Sequence, residues 1–472
     1  MENWYHPNIM MLEDQDDLKR FQSENIEGDW LVHTVPATDN AHPACNLPSV
    51  MFIRNLLTKK TYTFSMFHPD SRSKPPPANA MYYPNFDGFI GSNQIFDKCL
   101  GRVWALDSKA FKQLSEMPNF PYIYDANLCS YLEKNEMFEM SEYETPAHVA
   151  IRRRCEDKSI VSAAIPILKH KEAFDDMADD VSRFIRRAKV DSAFEHFNDL
   201  IHILGDVEKQ GICVDPGLFK KHFDVDSSDL VYSHYNFYTS TGRPSNSFGG
   251  VNYAALKHED GSRSCFVSRH GDNGRMVVVD YSAFHPRIIC NLTNHPIDGD
   301  VDIYEYLAKL YYQKKEVDET DISNAKKLTF RQLYGGLEDK YSHIKYLANL
   351  KSYIDAQWEF FKKNNYVETP IFKRKITDSH IKDPNPTKVF NYLLQAVEGE
   401  VAIPPLKSVL KYLKNKHTKV MLYTYDAVLY DFHKDDGIET LNNIRQLMSC
   451  QGMFPMKTYI GKSYNDVKLV EI

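Results

Sequence analysis

Residues 275–289, RMVVVDYSAFHPRII, join an apolar run to a group of charged and polar side chains. The unbroken apolar run from Met276 to Val279 predicts a buried strand, and Asp280 follows where that run should continue or end in a turn. A carboxylate in such a place is costly unless it is protonated, paired or bound to a cation. The role of Asp280 therefore depends on which groups the rest of the chain brings to it.

Composition narrows the class of protein. The chain has 472 residues, 43% of them hydrophobic, and a net charge of -7, which favours two to four packed units. The negative charge argues against nucleic-acid binding by the whole surface but allows a local basic channel. The eight cysteines form no CxxC pair, which favours reduced thiols and no zinc site. No signal-peptide core and no run of about 20 apolar residues is found, so we expect a soluble cytoplasmic protein with no membrane association.

Patterning predicts an α+β protein with three regions. Residues 1–150 contain two strands around a Lys-Lys turn (SVMFIRNLLTKKTYTFSMF) and a Pro-rich loop (RSKPPPANAMYYPN). Residues 151–210 have apolar side chains at three- and four-residue steps, which predicts charged amphipathic helices. Residues 211–472 alternate short strands with long helices.

A second carboxylate follows another apolar segment, VMLYTYDAVLYDF. Alternation places Val420, Leu422, Thr424 and Asp426 on one face of a strand, and Asp426 falls where the strand turns back. Asp alone often does no more than start a turn. Two carboxylates at adjacent strand tips, however, can hold two Mg²⁺ ions about 4 Å apart, the arrangement that supports phosphoryl transfer.

A candidate partner for these acids is DISNAKKLTFRQLYGGLEDKY. Lys326, Phe330 and Tyr334 are spaced by four and share one face of a predicted helix that ends at Gly335-Gly336. Such a stripe is usually a solvated or core helix face. A cation, a flat ring and a phenol in this order also suit contacts to a phosphate, a base and a template.

These motifs resemble those of the family A DNA polymerases, the group of bacterial DNA polymerase I and several phage replicases. VVVDYSAFHPRI is similar to motif A (DYSxxExR), KKLTFRQLYGG to motif B (KxxxFxxxYG) and YTYDAVLYD to motif C (HDE). Three more segments agree in the family's order: VEKQGICVD, TSTGRPSNSFGGVNYAAL with SRSCFV, and NYVETPIFKRK with NYLLQAVEGEVA. Together they cover about residues 204–472.

The resemblance implies a right-hand polymerase fold, with palm and fingers at 211–472 and the fingers at about 295–375. It implies that the catalytic Asp280 and Asp426, with the Tyr281 carbonyl, bind two Mg²⁺ ions, for which Mn²⁺ can substitute. The residues matched to the incoming dNTP are His285, Lys326, Phe330 and Tyr334. Those matched to primer-template DNA are Arg243, Asn252, Tyr334, Gly335, Asn391 and Gln395.

Three motif positions depart from the family pattern. His285 replaces the motif A glutamate beside the nucleotide sugar, and we expect its imidazole still to fill the space next to C2′. Motif C is YDA at 425–427 and lacks one carboxylate. Ile322 stands where an arginine is expected, and Lys327 and Arg331, which could take over its phosphate contact, lie on other faces of the helix.

The largest departure concerns the thumb. Only residues 216–230 lie between Asp215 and Val231, too few for two long antiparallel helices that rise about 1.5 Å per residue. We expect a reduced or missing thumb, replaced by the helices of 151–210 or by a processivity or thumb-supplying partner protein. The basic clusters of that region are equally compatible with solvated helix faces; they are Arg152-Arg153-Arg154, Lys169-His170-Lys171 and Arg186-Arg187.

Residues 1–150 occupy the place of the family's 3′–5′ exonuclease. That activity needs a DxE pair on the first strand, but Val32-His33-Thr34 supplies no acid. YDANLCSYLEKN resembles a later exonuclease helix and offers Asp125 alone, which is not a metal site. We therefore expect a degenerate exonuclease-like domain without that activity.

Two other functions remain open. A single-subunit RNA polymerase shares the two aspartates and the helix from Lys326 to Gly335, although Phe330 and the TGRPS segment favour DNA synthesis. A non-catalytic DNA-binding replication factor is less compatible with retained carboxylates, because unused buried acids destabilise a fold. A repair-type role in place of replication stays open, because no sequence feature reports fidelity. Compact length and unusual motifs suggest a phage or mobile-element origin, hence replication of phage DNA in a host bacterial cytoplasm.

Overall fold

The computed structural model describes residues 10–11, 15–24, 27–65, 68, 96, 100–115 and 122–471. The chain forms two compact units, Met1–Gly205 and Asp206–Ile472. The predicted Pro-rich loop at 72–85 lies outside the described residues. The three predicted regions, 1–150, 151–210 and 211–472, stay a prediction.

The first unit is built on a mixed six-stranded sheet with the order β1-β4-β3-β2-β5-β6. The strand pair predicted around the Lys-Lys turn is confirmed as the antiparallel β3–β4 hairpin. The strands are β1 (Met10–Met11), β2 (Trp30–Pro36), β3 (Pro48–Asn55), β4 (Thr61–Ser65), β5 (Val103–Ala105) and β6 (Ile123–Asp125).

The helices of this unit follow the predicted periodicity. In the longest, the apolar side chains of Phe174, Met177, Val181 and Ile185 recur at three- and four-residue steps and are buried. The helices are α1 (Gln15–Glu24), α2 (Ser108–Ser115), α3 (Ala126–Lys134), α4 (Pro146–Arg154), α5 (Val161–Ala164), α6 (Ile167–Arg187) and α7 (Ser192–Glu208), whose last turn passes into the second unit.

Several members of the basic clusters are paired with acids inside this unit. Ion pairs join Lys169 to Glu172 (2.6 Å), Lys171 to Asp175 (2.7 Å) and Arg187 to Glu133 (3.2 Å). His170, in the middle of the second cluster, is buried. These contacts favour the interpretation of the clusters as helix faces and weaken the case for a DNA-covering role.

Asp125, the one acid that the exonuclease resemblance offered, has a structural role. Its buried carboxylate caps α3 by accepting from Leu128 N–H (3.3 Å), and it accepts from Ser108 N–H (2.8 Å). Two main-chain donors at an N-cap account for the residue without any metal.

Buried histidines predict that the first unit is sensitive to acid. Burial lowers the pKa of His33 to about 4, against a raising effect of Asp107, and burial lowers the pKa of His170 to about 3. The unfolded chain takes up these protons near pH 6.5. We therefore expect the free energy of unfolding to fall by about 1.4 kcal/mol per pH unit for each histidine as the pH drops from about 6 to 4.

Urea titrations of the full chain at several pH values measure this slope. His33→Phe keeps a ring to stack on Phe174, whose centroid lies 6.1 Å away, and should lower the slope by about 1.4 kcal/mol per pH unit. Equal slopes in the variant and the native chain would contradict the expectation.

The second unit contains a five-stranded antiparallel sheet with the order β15-β16-β12-β17-β18. Its central strand, β12, is the predicted apolar segment, and Met276, Val277 and Val279 are fully buried. The strands of the unit are β7 (Ile212–Cys213), β8 (Leu230–Val231), β9 (Tyr235–Asn236), β10 (Ser245–Phe248), β11 (Val251–Asn252), β12 (Gly274–Tyr281), β13 (Tyr366–Glu368), β14 (Lys375–Thr377), β15 (Lys419–Thr424), β16 (Ala427–His433), β17 (Met456–Gly461) and β18 (Lys468–Val470).

Helices make up most of the rest of this unit. The predicted motif B helix is confirmed: Asp318 caps its start in a capping box with Asp321, and it ends at Gly336, whose φ of 106° suits glycine. The helices are α8 (Pro216–Phe223), α9 (Phe284–Leu292), α10 (Ile303–Tyr312), α11 (Glu319–Gly335), α12 (Lys345–Asn364), α13 (Pro386–Ala402), α14 (Pro404–Leu413) and α15 (Ile438–Met448).

The stretch expected to lack a long thumb contains one short helix. Asp215 caps α8 by accepting from Leu218 N–H (2.9 Å), and α8 ends after eight residues at Asp224, which has a left-handed φ of 53°. The prediction that residues 216–230 hold no pair of long helices is confirmed. Among the described residues, no helix has the length and apolar composition to cross a membrane.

Candidate active site

Asp280 lies near the end of the central strand, with neighbours on both sides. In the sheet, Asp280 pairs with Ala427 of β16 on one side and with Lys457 of β17 on the other. Burial, followed by the nearby charge of Asp426, raises the pKa of Asp280 to about 7, although Lys457 and Lys326 act in the opposite direction. The charged form of such a buried carboxylate is stabilised when a cation approaches.

Asp426 occupies the tight turn between β15 and β16. Tyr425, in the same turn, has a φ of 65°, and the Tyr281 N–H donates to the Asp426 carbonyl (2.8 Å), which ties the turn to the end of β12. Burial and the negative charge of Glu398 raise the pKa of the Asp426 carboxyl. The two aspartates therefore meet at neighbouring strand ends, as the two apolar segments predicted.

One detail of the prediction is wrong. The register of β15 shifts between Val420 and Leu422, so strict alternation does not continue from one to the other. A bulge adds a residue to one strand and turns the side chains beyond it. Asp426 reaches the end of β12 from the turn rather than from an alternating strand face.

The two aspartates open onto a cleft of about 440 Å³ inside the second unit. The motif A, B and C segments, which are far apart in the chain, all contribute to its walls. The predicted site residues that line it are Arg243, Asp280, Tyr281, His285, Lys326, Phe330, Tyr334 and Asp426.

The α11 face of the cleft carries the predicted cation and rings. The rings of Phe330 and Tyr334 are stacked, with centroids 5.9 Å apart and planes 7° apart. The Lys326 Nζ lies 5.6 Å from the ring centroid of Tyr304 on α10. Ile322 lines the cleft one turn earlier, so an apolar side chain occupies the position at which the resemblance places an arginine.

Neither candidate substitute for that arginine is in the cleft lining. Arg331 forms an ion pair with Glu338 (2.7 Å) beyond the end of the helix. Lys327 is exposed on another face of α11. Lys326 is therefore the cationic side chain that α11 presents to the cleft.

A buried acid that the sequence analysis missed connects the remaining cleft residues. Glu398 Oε2 lies 2.8 Å from Nε of Arg243 and 3.1 Å from Nε2 of His285. The other nitrogen of His285, Nδ1, is hydrogen-bonded to the Tyr334 hydroxyl. The Arg243 guanidinium also lies 3.6 Å from the ring centroid of Tyr425. Arg243, predicted to touch primer-template DNA, is thus held against the turn that carries Asp426.

Four predicted DNA contacts lie outside the cleft lining. Asn252 is exposed and its side chain accepts from Ala254 N–H (3.2 Å). Gly335 is exposed at the end of α11, and Asn391 and Gln395 are half-buried one turn apart on α13. Their contacts with DNA stay a prediction.

Other lining residues were also missed, because their place depends on register and packing. Lys457 stands beside Asp280 only because β17 pairs with β12 in the observed register. Tyr304 reaches the cleft because α10 packs on α11. The signal that could have indicated Glu398 is the pair of acids within the apolar helix segment LLQAVEGEVA.

The donor set fits a hard divalent cation. Two carboxylates whose pKa values are raised by burial and by nearby negative charge have oxygen ligands of the type that Mg²⁺ and Mn²⁺ prefer. Tyr281 follows Asp280 and lines the same cleft, so its main-chain carbonyl could add a further oxygen ligand.

Comparison with known proteins identifies the fold. No protein-family model and no curated protein matches this sequence. Among solved structures, the chain is similar to the POL domain of Pol1 from M. smegmatis, determined in complex with DNA primer-template and dNTP. The two align with a TM-score of 0.68 over 97% of this chain and 99% of that chain, at 13% sequence identity. The fold is that of a polymerase domain, and the predicted α+β polymerase architecture is confirmed.

Proposed function

We propose that this chain is a template-directed DNA polymerase that adds dNTPs to the 3′-hydroxyl of a primer. The observation that carries the proposal is that Asp280 and Asp426 share a cleft with Lys326, Phe330 and Tyr334. The similarity to a polymerase domain that holds primer-template and dNTP supports the same assignment.

The acids of the cleft are the proposed metal ligands. Asp280, Asp426 and the Tyr281 carbonyl would hold two Mg²⁺ ions, which when bound activate the attacking hydroxyl and neutralise charge on the leaving pyrophosphate. Motif C lacks its second acid, so these two carboxylates carry the site.

The other cleft residues position the nucleotide. Lys326 binds the triphosphate, Phe330 packs against sugar and base, and the ring of Tyr334, stacked on Phe330, meets the templating base. His285 fills the space beside C2′. Lys457, opposite Asp280, is a second cation near the phosphates.

Primer-template DNA is the proposed macromolecular partner. Asn252, Gly335, Asn391 and Gln395 would contact the duplex outside the cleft, and Arg243 would reach it from the cleft wall. Because α8 is eight residues long, a processivity or thumb-supplying protein would complete the grip on the duplex. We place the activity in phage DNA replication and expect no 3′–5′ exonuclease activity.

Primer extension on a DNA template tests the assignment. We expect Mg²⁺-dependent addition of dNTPs that stops in EDTA, with dNTPs preferred over rNTPs by about 10²-fold or more, since the imidazole excludes a 2′-hydroxyl. His285→Ala should lower that preference. A single-subunit RNA polymerase would instead start chains with rNTPs without a primer, and a non-catalytic factor would bind DNA without extending it; either result would refute the proposal.

A further inference from the structure

Helix α13 brings a buried carboxylate to the wall of the cleft. The Glu398 side chain is 1% exposed, and its oxygens lie within 3.3 Å of Arg243 and His285. A charge this deep in a protein is costly unless cationic or donor groups meet it. The two side chains that lie against it, Arg243 and His285, both belong to the proposed nucleotide site, so Glu398 is linked to that site through them.

Through His285 the contact extends to the motif B helix. The imidazole Nε2 lies 3.1 Å from Glu398 Oε2 without the alignment of a hydrogen bond, and Nδ1 is hydrogen-bonded to the Tyr334 hydroxyl. Tyr334 in turn stacks on Phe330. An imidazole bonded at Nδ1, close to a carboxylate at Nε2 and with 10% of its side chain exposed, cannot rotate aside without losing one of these contacts.

The position of the acid explains how the chain tolerates histidine in motif A. At position 285, where the resemblance places a glutamate, the chain has a histidine, and the structure places a carboxylate from α13 behind it. The imidazole fills the gap between this acid and the Tyr334 hydroxyl.

We propose that Glu398 is a positioning residue that determines sugar selectivity by fixing His285 beside C2′ of the incoming nucleotide. The inference rests on the proposed polymerase function and extends it to a residue to which the resemblance assigns no role. A 2′-hydroxyl can be accommodated only if the imidazole moves, and the contact with Glu398 opposes that movement.

Glu398 also contacts Arg243, and loss of this contact should affect the reaction differently from loss of the contact with His285. Arg243 lies over the Tyr425 ring, in the turn that presents Asp426. Weakening this contact would change the reaction of dNTPs and rNTPs alike. The ratio of dNTP to rNTP incorporation therefore reports the contact between Glu398 and His285 separately from damage to the Asp426 turn.

Glu398→Gln, which removes the charge and keeps the shape, is the test. We expect the dNTP/rNTP ratio of kcat/KM to fall by at least about tenfold, the effect of one lost charge-assisted contact. His285→Gln should lower the ratio as well. The double variant should match the lower of the two singles, because residues that act in one chain are not additive.

A matched control lies two residues along the same helix. Glu400 is also buried, but its Oε1 accepts from the Thr369 Oγ1 (2.6 Å) and it does not line the cleft. Glu400→Gln should leave the ratio unchanged. A ratio for Glu398→Gln within about twofold of the native value, or additive effects in the double variant, would overturn the proposal.

Equilibrium binding separates this inference from the proposed function. Affinities of dATP and ATP are measured on a complex with a dideoxy-terminated primer, where no bond can form. If the native chain prefers dATP but extends no primer, and Glu398→Gln abolishes the preference, the polymerase proposal fails and this one stands. If the native chain binds both nucleotides equally or binds neither, this inference is wrong. Should Glu398→Gln not fold, Glu398→Asp, which shortens the reach but keeps the charge, must show the same loss.

Discussion

Asp280→Asn is expected to reduce primer extension by about 10³-fold or more while making the metal-free protein more stable. The loss of activity follows from removing one of two carboxylates in the proposed metal site. The gain in stability follows from the raised pKa of Asp280, which burial and Asp426 bring to about 7. An uncharged amide of the same shape removes both the cost of burying the charge and its repulsion by Asp426.

The gain in stability from Asp280→Asn depends on pH. The folded pKa lies above the unfolded value near 3.9, so the native carboxyl costs stability as the pH rises through 4 to 7 and the cost is complete above 7. We therefore expect Asp280→Asn to raise the free energy of unfolding in EDTA by about 2 kcal/mol at pH 8 and by little at pH 4. Mg²⁺ should stabilise the native chain but not the variant.

Asp272→Asn serves as the control, because Asp272 is exposed on the turn before β12 and does not line the cleft. It should leave both extension and stability unchanged. Denaturant titrations with and without Mg²⁺ measure the stability of each protein, and extension assays measure its activity. An Asp280→Asn variant that extends primers at the native rate, or that is destabilised in EDTA, would contradict the proposed pair of acids.

Lys326→Met is expected to lower kcat/KM for dNTPs by about 10²-fold or more, with little change in affinity for primer-template. Lys326 is the cation that α11 presents to the cleft, and Ile322 cannot share the charge of a triphosphate. Methionine keeps the length of the apolar part of the side chain and removes the charge. The lost interaction acts on phosphate oxygens that gain charge during the reaction, so kcat should fall as well as the affinity.

The neighbouring Lys327 gives the matched control. It is exposed on a different face of α11 and is absent from the cleft lining. Single-turnover kinetics on one primer-template should show a near-native rate for Lys327→Met. Equal losses in the two variants would mean that a general basic surface, and not the cleft, holds the triphosphate.

Local periodicity was enough to find the parts of the site that lie within one element. Four consecutive apolar residues before Asp280 predict a strand that is buried on both faces, and β12 is the central strand of its sheet. Spacing by four places Lys326, Phe330 and Tyr334 on one helix face, and all three line the cleft. Both patterns depend only on the repeat of a single strand or helix, which is why a single sequence displays them.

Features that depend on strand register or on packing between separate helices and strands could not be predicted from the sequence. The bulge after Val420 follows from the pairing of β15 with β16, and no local pattern marked it. Lys457 lies beside Asp280 through strand register, and a shift of one residue would have turned it to the other face. The contacts of Arg243 with Glu398 and Tyr425 depend on the packing of three separate segments.

The amino-acid sequence by itself determined the α+β class, the two acids at strand ends and the helix stripe that faces them, because hydrophobic periodicity and turn residues act over a few neighbouring positions. Only the tertiary structure decided that a buried glutamate on α13 stands behind His285. The free energy of burying that carboxylate depends on which side chains reach it in space, and Glu398 and His285 lie 113 positions apart in the sequence.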